Sequence, residues 1–415
     1  MRIAFITTMT TAPWGGSEAL WAQTVHRALD AGHEVFVSVY GWPTTPQPIA
    51  ELIQRGAYVE RRRLSRRWRR SGILMRLFNP FRAVRKFRPD AVLISQGGTY
   101  DISRGKEFKQ LRRLLLKQER WPFVLLCHCE QPPPRRARAR QRARESFKAA
   151  RIIGMLSHDL RAKSERQLEI SITNARLFQN PLNIKSNGPL PWPEGEPLRL
   201  AFVGRLEWTK GLDLAIEVFS APAWREREWR LDVYGSGELQ SKYEADVRAL
   251  GLGDRIRFCG FANDMDAVWR EHHVLLLPSR AEGVPNSMLE AMLSGRPVVV
   301  SNVGGISAWV EDGETGYILS EPNASELARA LERLWTDRAR LRTMGATAYE
   351  RTLRRRDPDP PLSVLRWLEE IGGEAARSSA QPTHERASES RSSKLVPEAL
   401  ATPAKLTRSD FENPA

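Results

Sequence analysis

Short apolar runs recur along the chain, each separated from the next by an amphipathic stretch or by glycine and proline. The first is IAFIT (3–7), followed by a loop holding Gly15 and Gly16, an amphipathic stretch over about 17–31, and the run GHEVFVSVY (32–40). Such a series predicts strand, loop, helix and strand, the unit from which parallel sheets are built. DAVLIS (90–95), PFVLLCH (122–128) and RIIGML (151–156) read as further buried strands. The stretch NGPLPWPEGEP (187–197) then interrupts the pattern with four prolines and two glycines, as a linker does.

The pattern restarts with LRLAFVG (198–204), RLDVYG (230–235), RIRFCG (255–260), VLLLPS (274–279) and RPVVVS (296–301). Two successive doubly wound α/β domains with a cleft between them are expected. Their bounds are 1–186 and 198–356, joined by the linker 187–197 and followed by a terminal helix over 357–373. Apolar residues nearly vanish after that helix, so 374–415 is expected to be a disordered tail. A length of 415 residues also exceeds what one hydrophobic core usually supports.

Composition adds limits. No apolar run approaches the roughly 20 residues that span a bilayer, and the N-terminus lacks the features of a secretory signal, so cytoplasmic residence is expected. Three cysteines, Cys127, Cys129 and Cys259, argue against a disulfide framework. Cys127 and Cys129 flank His128, but alternate positions on a strand point both thiols away from the imidazole, and no second cluster completes a zinc site.

The net charge of +15 is concentrated in blocks beginning RRRLSRRWRR (61–70, extending to 87) and RRARARQRARESFK (135–148). Either is a solvated face or a phosphate-attracting one. In 61–87 arginines alternate with Trp68, Leu74, Leu77, Phe78 and Phe81, which suits an anionic membrane surface. In 135–148, Arg136, Arg140 and Arg144 would share a helical face. No nucleic-acid-binding signature accompanies either block, so no nucleic-acid partner is expected.

The chemistry concentrates in AEGVPNSMLEAM (281–292), where Glu282 and Glu290 bracket Gly283, Val284, Pro285, Asn286 and Ser287. This loop follows a strand and opens a helix, the place where parallel sheets bind ligands. Gly283 permits close approach of backbone to a ligand, Pro285 suits the first helical turn, and the following N–H groups favour an anion such as a diphosphate. Ser287 and Glu290 also make a capping box, and Glu282 also reads as an exposed loop carboxylate. A second phosphate signal is FVGRLEWTKG (202–211), with Arg205 and Lys210 just beyond Gly204. VYGSGEL (233–239) adds Gly235 and Gly237 at a third strand end, where backbone could pass close to a nucleotide. Asp264 and Asp266 resemble a metal-binding D-x-D, but their place before a helix favours Asp264 as a cap, and no metal is expected.

In order along residues 1 to 340, these elements resemble the retaining GT-B glycosyltransferases of family 4, the glycosyl transferases group 1. The series is Gly15-Gly16, GHEV (32–35), His128, VGRL…KG (203–211), YGSGEL, the run 276–305 and DGETGYIL (312–319). Glu282 and Glu290 match the family's E-x7-E element. The resemblance implies transfer of a sugar from a nucleotide-diphosphate donor, with retention and without a cofactor, to a glycan or lipid-linked acceptor. Arg205 and Lys210 would hold the diphosphate, Glu290 the ribose hydroxyls, and Glu282 and His128 the donor sugar. Gly16, Gly204, Gly235 and the amides from Gly283 through Asn286 would line the donor. Two departures stand out: Ala308 where a glutamate is usual, and Cys129 where an acidic or amide residue is common. The alternatives are an epimerase or hydrolase of the same fold, and a non-enzymatic polyanion-binding protein.

Overall fold

The computed structural model describes residues 1–9, 14–63, 80–104, 108–119 and 121–380. Among these residues the chain forms two parallel sheets. The first runs β3-β2-β1-β4-β5-β6-β7, built from β1 (Arg2–Thr7), β2 (Glu34–Gly41), β3 (Tyr58–Arg63), β4 (Ala91–Gln96), β5 (Phe123–Cys127), β6 (Ile152–Met155) and β7 (Ala175–Leu177). The second runs β10-β9-β8-β11-β12-β13, from β8 (Leu198–Val203), β9 (Trp229–Tyr234), β10 (Ile256–Gly260), β11 (Val274–Leu277), β12 (Val298–Ser301) and β13 (Gly316–Leu319). In each sheet the order reverses beside the first strand of that half, so both sheets have a switch point at their carboxyl ends.

Central strands are apolar throughout because helices cover both of their faces. β4 and β5 are buried at every position. β3, β7 and β13 do not stand out as strands in the sequence. β3 reads YVERRR because it is an edge strand, and edges tolerate charge.

Two members of the basic and aromatic block face inward rather than toward a surface. Arg62 is buried, donates to the Thr7 carbonyl and lies over the Tyr40 and Phe81 rings, 4.6 and 5.3 Å from their centroids. Phe81, expected beside lipid, is buried in the first domain's core with Val84 and Phe87. Trp68, Leu74, Leu77 and Phe78 lie outside the described residues. In the second block, helix Ala137–Ala149 leaves Arg136 and Arg138 exposed, while Arg144 turns back to the Leu168 carbonyl and Glu169. No helix among the described residues is long and apolar enough to cross a membrane.

The terminal helix, Pro360–Ala380, is longer than expected and returns to the first domain. Its Val364, Leu365, Leu368 and Ile371 join the core formed with Ile3, Leu20, Ala91 and Leu93. The remainder of the expected disordered tail, 381–415, lies outside the described residues.

Candidate active site

The carboxyl ends of the two sheets face each other, and the loop after β11 crosses between them. A Cβ on Gly283 would stand 2.6 Å from the His128 carbonyl oxygen at the end of β5 and 2.7 Å from Leu156 beyond β6. The contact therefore leaves no room for a side chain. Gly304, with φ +61°, turns beneath this loop, where a Cβ would strike the Glu282 and Gly283 carbonyls at 2.3 and 2.5 Å. The Gly305 N–H donates to the Gly283 carbonyl at 2.7 Å and fixes the loop from below. Gly304 thus supports the site, a role only its backbone neighbours reveal.

Lys210 ends a 3-10 turn, Trp208–Lys210, that follows β8. Its Nζ donates to Glu282 Oε1 at 2.6 Å, and the Ser279 hydroxyl donates to the same oxygen at 2.8 Å. Both ends of the ion pair are largely shielded from water, which strengthens the attraction and also makes leaving either partner alone costly. Arg205, in contrast, is exposed and paired with Glu207 at 2.6 Å. Cys129 of the first domain feels the charges of both Lys210 and Glu282, and its thiol is pushed up first by burial. Lys210, Glu282, Gly283 and His128 are thereby brought to one place from both domains.

His128 is buried, its Nε2 lies 3.3 Å from the Ser95 hydroxyl, and its ring meets Phe178 edge-on at 4.9 Å. Nδ1 faces Asn180 without a well-formed hydrogen bond. Burial pushes the imidazole down to about 3, so it is neutral at physiological pH and suited to exchanging hydrogen bonds rather than to donating a charge.

Helix Asn286–Leu293 carries the second half of the motif. Pro285 is the residue before its first turn rather than within it, and Asn286 Nδ2 donates to the Pro181 carbonyl at 3.2 Å. A Cβ on Gly16, at the start of helix Gly16–Asp30, would lie 3.8 Å from Asn286 Nδ2, so the two helix starts meet across the cleft. Val284 packs against the cores of both domains.

No side chain caps helix Asn286–Leu293, so the capping box of Ser287 and Glu290 does not form. Glu290 instead accepts the Asn183 N–H at 2.8 Å from the segment joining the domains. Nor is its carboxyl driven toward ionisation by the start of the helix it sits on. Burial raises its pKa, and the single N–H bond only partly offsets this.

Gly204 and Gly235 lie together. With φ +131°, Gly235 packs onto the Gly204 carbonyl, 1.9 Å from an added Cβ, and Gly237 packs likewise on Leu206. These glycines bring backbone against backbone. Asp264 caps helix Met265–Glu271 by accepting the Ala267 N–H at 3.1 Å, whereas Asp266 accepts the Lys185 N–H at 3.2 Å. The two carboxylates serve separate backbone partners. Ala308 lies exposed in a 3-10 turn, its carbonyl accepting from Arg355.

Residues 197–337, which contain Arg205, Lys210, Glu282 and Glu290, match the family described as glycosyl transferases group 1. The chain carries a glycosyl transferases group 1 domain. Over 148 residues it is 35% identical to a 2-deoxystreptamine glucosyltransferase of Streptomyces kanamyceticus, covering 35% of this chain and 38% of that protein. It is 34% identical over 133 residues to a lipopolysaccharide core biosynthesis mannosyltransferase, LpcC, of Rhizobium leguminosarum, covering 31% and 38% of the two chains. These matches span less than two-fifths of the relatives' length. The whole fold is similar to that of Anabaena Alr3699/HepE in complex with UDP, with a TM-score of 0.68 at 17% identity over 90% of this chain and 100% of that one. It is also similar to sucrose-phosphate synthase of Thermosynechococcus elongatus, with a TM-score of 0.66 at 20% identity over 91% and 99%. Two parallel-sheet domains facing a cleft in this way make the fold GT-B.

Proposed function

We propose that this protein is a retaining glycosyltransferase that moves a hexose from a nucleoside-diphosphate donor to a glycan or lipid-linked acceptor without a metal. The observation that carries this reading is the shielded Lys210–Glu282 pair, 2.6 Å apart, in the loop whose Gly283 meets the carboxyl end of β5. On donor binding the Lys210 ammonium exchanges its carboxylate partner for the diphosphate, joined by Arg205. Glu282 then accepts donor-sugar hydroxyls, and Glu290 accepts those of the ribose. The first amides of helix Asn286–Leu293, free of any side-chain cap, point their partial positive charge at the same anion.

Transfer breaks the bond between the anomeric carbon and the β-phosphate oxygen, leaving the electron pair on that oxygen. The acceptor oxygen bonds to the anomeric carbon on the same face, and its proton passes to the departing phosphate. Negative charge grows on the phosphate where Lys210 and Arg205 wait, so preorganised cations supply the stabilisation and no protein nucleophile is needed. The complexes of HepE with UDP and UDP-glucose make a uridine donor the first to test.

A panel of nucleotide sugars read by thermal shift tests the donor. At least one should raise Tm, and none doing so would remove this reading. Lys210→Ala should lower Tm, because it leaves the shielded Glu282 carboxylate without its cation, and the folded variant should lose at least a hundredfold in kcat with a metal chelator present in both assays, as removal of one electrostatic stabiliser does. Full turnover in that variant would reject the role. The protein acts in the cytoplasm, peripherally on the inner face of the membrane, with the exposed arginines of helix Ala137–Ala149 and its flank toward anionic lipid. Sedimentation with anionic vesicles should be strong at low salt and lost at high salt, and its absence at low salt would reject the placement.

A further inference from the structure

Lys210 and Glu282 meet through side-chain atoms alone, but the two segments that carry them are also joined along their backbones. Arg280, two residues before Glu282, makes most of that seam. Its N–H donates to the carbonyl of Thr209, the residue before Lys210, at 2.7 Å. Its guanidinium Nη1 donates to the Trp208 carbonyl at 2.7 Å and to Asp213 Oδ1 at 2.8 Å, while Nη2 reaches Asp213 Oδ2 at 2.6 Å. The same group lies over the Trp208 ring, 4.4 Å from its centroid. On the other side of Lys210, Gly211 turns at φ +75° and packs on the Pro278 carbonyl, which would stand 2.1 Å from an added Cβ. The residues before and after Lys210 are thus fixed to the loop after β11 by contacts that leave its ammonium out. Asp213, the far anchor of the clamp, stands in the first turn of helix Leu212–Phe219.

We propose that Arg280 is the positioning residue for Lys210, holding the turn that carries it so that the ammonium keeps its place when Glu282 releases it. The proposal rests on the transfer reaction above, in which Lys210 exchanges its carboxylate partner for the diphosphate. A lysine is a point charge on a flexible four-carbon stem, and at that exchange it loses the carboxylate that held it. The backbone beneath the stem must then be rigid, because a shift of about 1 Å in a group that acts on the transition state can cost about a hundredfold. Arg280 bonds to Asp213 and to main-chain carbonyls rather than to Lys210 or Glu282, so it acts through the turn and not on the donor. Only a planar fork serves this place. It grips both oxygens of Asp213 and still has an N–H for the Trp208 carbonyl, which a lysine ammonium does not match in geometry. A plain ion pair steadying the start of helix Leu212–Phe219 is the competing account, and it would leave Lys210 unaffected.

Thermal unfolding of the nucleotide-free full chain tests the link without any donor. Lys210→Ala should lower the Tm of Arg280→Met by less than half as much as it lowers that of the wild type, since residues that act together do not add. Equal lowering in the two backgrounds overturns the proposal in favour of the plain ion pair. Arg280→Lys keeps a cation for Asp213 and loses the fork, so the same comparison stays informative if Arg280→Met fails to fold. Titration calorimetry with UDP reads the effect on the ligand. Arg280→Met should weaken UDP binding about fivefold or more in the wild type but by less than about twofold in Lys210→Ala, again the mark of coupled residues. The same weakening in both backgrounds, or none in the wild type, overturns the proposal, because the effect would not pass through Lys210. Failure of the wild type to bind UDP would count against the uridine donor alone, and the Tm comparison then decides the role of Arg280.

Discussion

Glu290 shows how one residue's surroundings can reverse what its neighbours in sequence suggest. In the chain it follows Ser287 as a helix cap does, and near a helix start a carboxylate should ionise easily. In the fold it is buried and accepts one N–H from Asn183, so the protonated form is favoured relative to the unfolded chain. The native state therefore binds the proton more tightly than the unfolded state does. That contribution to stability is complete below the unfolded carboxylate range and is lost as pH rises through the higher native value. Glu290→Gln should accordingly gain stability over the wild type as pH rises from acid to neutral, measured by denaturant unfolding at several pH values. Nucleotide affinity should fall about tenfold or more, the scale of hydrogen bonds to a charged group. Unchanged affinity would remove its ribose role.

At the scale of elements, the link between the domains is held by a residue the sequence did not single out. Arg296, just before β12, is fully buried and donates to the carbonyls of Leu190 and Pro191 in the linker. The same guanidinium reaches the carbonyls of Trp269, His272 and Ser294 in the second domain, and it lies 5.3 Å from the Trp192 ring centroid. Burial lowers its pKa only to about 10, so it stays charged at neutral pH. A proline-rich linker has few N–H groups to tie itself down, and Arg296 supplies donors to its carbonyls from outside. Arg296→Met should cost at least about 1–3 kcal/mol in denaturant unfolding, the penalty for a buried carbonyl left without its donor. A change below about 1 kcal/mol would show that water replaces it, since a typical hydrogen bond nets that much.

For the whole molecule, the chain's path back from the second domain to the first matters most. Helix Pro360–Ala380 seats four large apolar side chains on the first domain, and an ion pair from the helix and another from the residue before it add to the contact. Arg176 grips Glu370 with both guanidinium nitrogens at 2.6 Å, and Arg27 meets Asp359 at 2.7 Å. Four buried aliphatic side chains at about 1.5–3 kcal/mol each rival the margin of about 5–15 kcal/mol by which domains are stable. Removing residues 360–380 should leave the first domain aggregating or unfolding well below the second in calorimetry. A truncated chain with one unchanged transition would show that the helix is dispensable.

Much of this architecture is legible in the sequence because strand and helix periodicity are local properties of the chain. Buried parallel strands announce themselves as short apolar runs, and the linker as prolines. The motif from Glu282 to Glu290 is legible too, because a loop after a strand and before a helix has few things to do. Edge strand β3 is not legible, since its burial pattern depends on which strand lies beside it, and the same arginines suggested lipid. Nor could spacing show that Glu282 faces Lys210, 72 positions earlier, or that Glu290 looks toward the domain link rather than its own helix. Gly235 and Gly283 read alike as glycines, yet one packs on a neighbouring strand end and the other on the opposite domain. The sequence by itself determined the elements, their order and the chemical types available for a phosphate-rich ligand. Only the tertiary structure decided which of those groups meet, because contacts between distant segments, and the burial that shifts their charges, exist only once both sheets are assembled face to face.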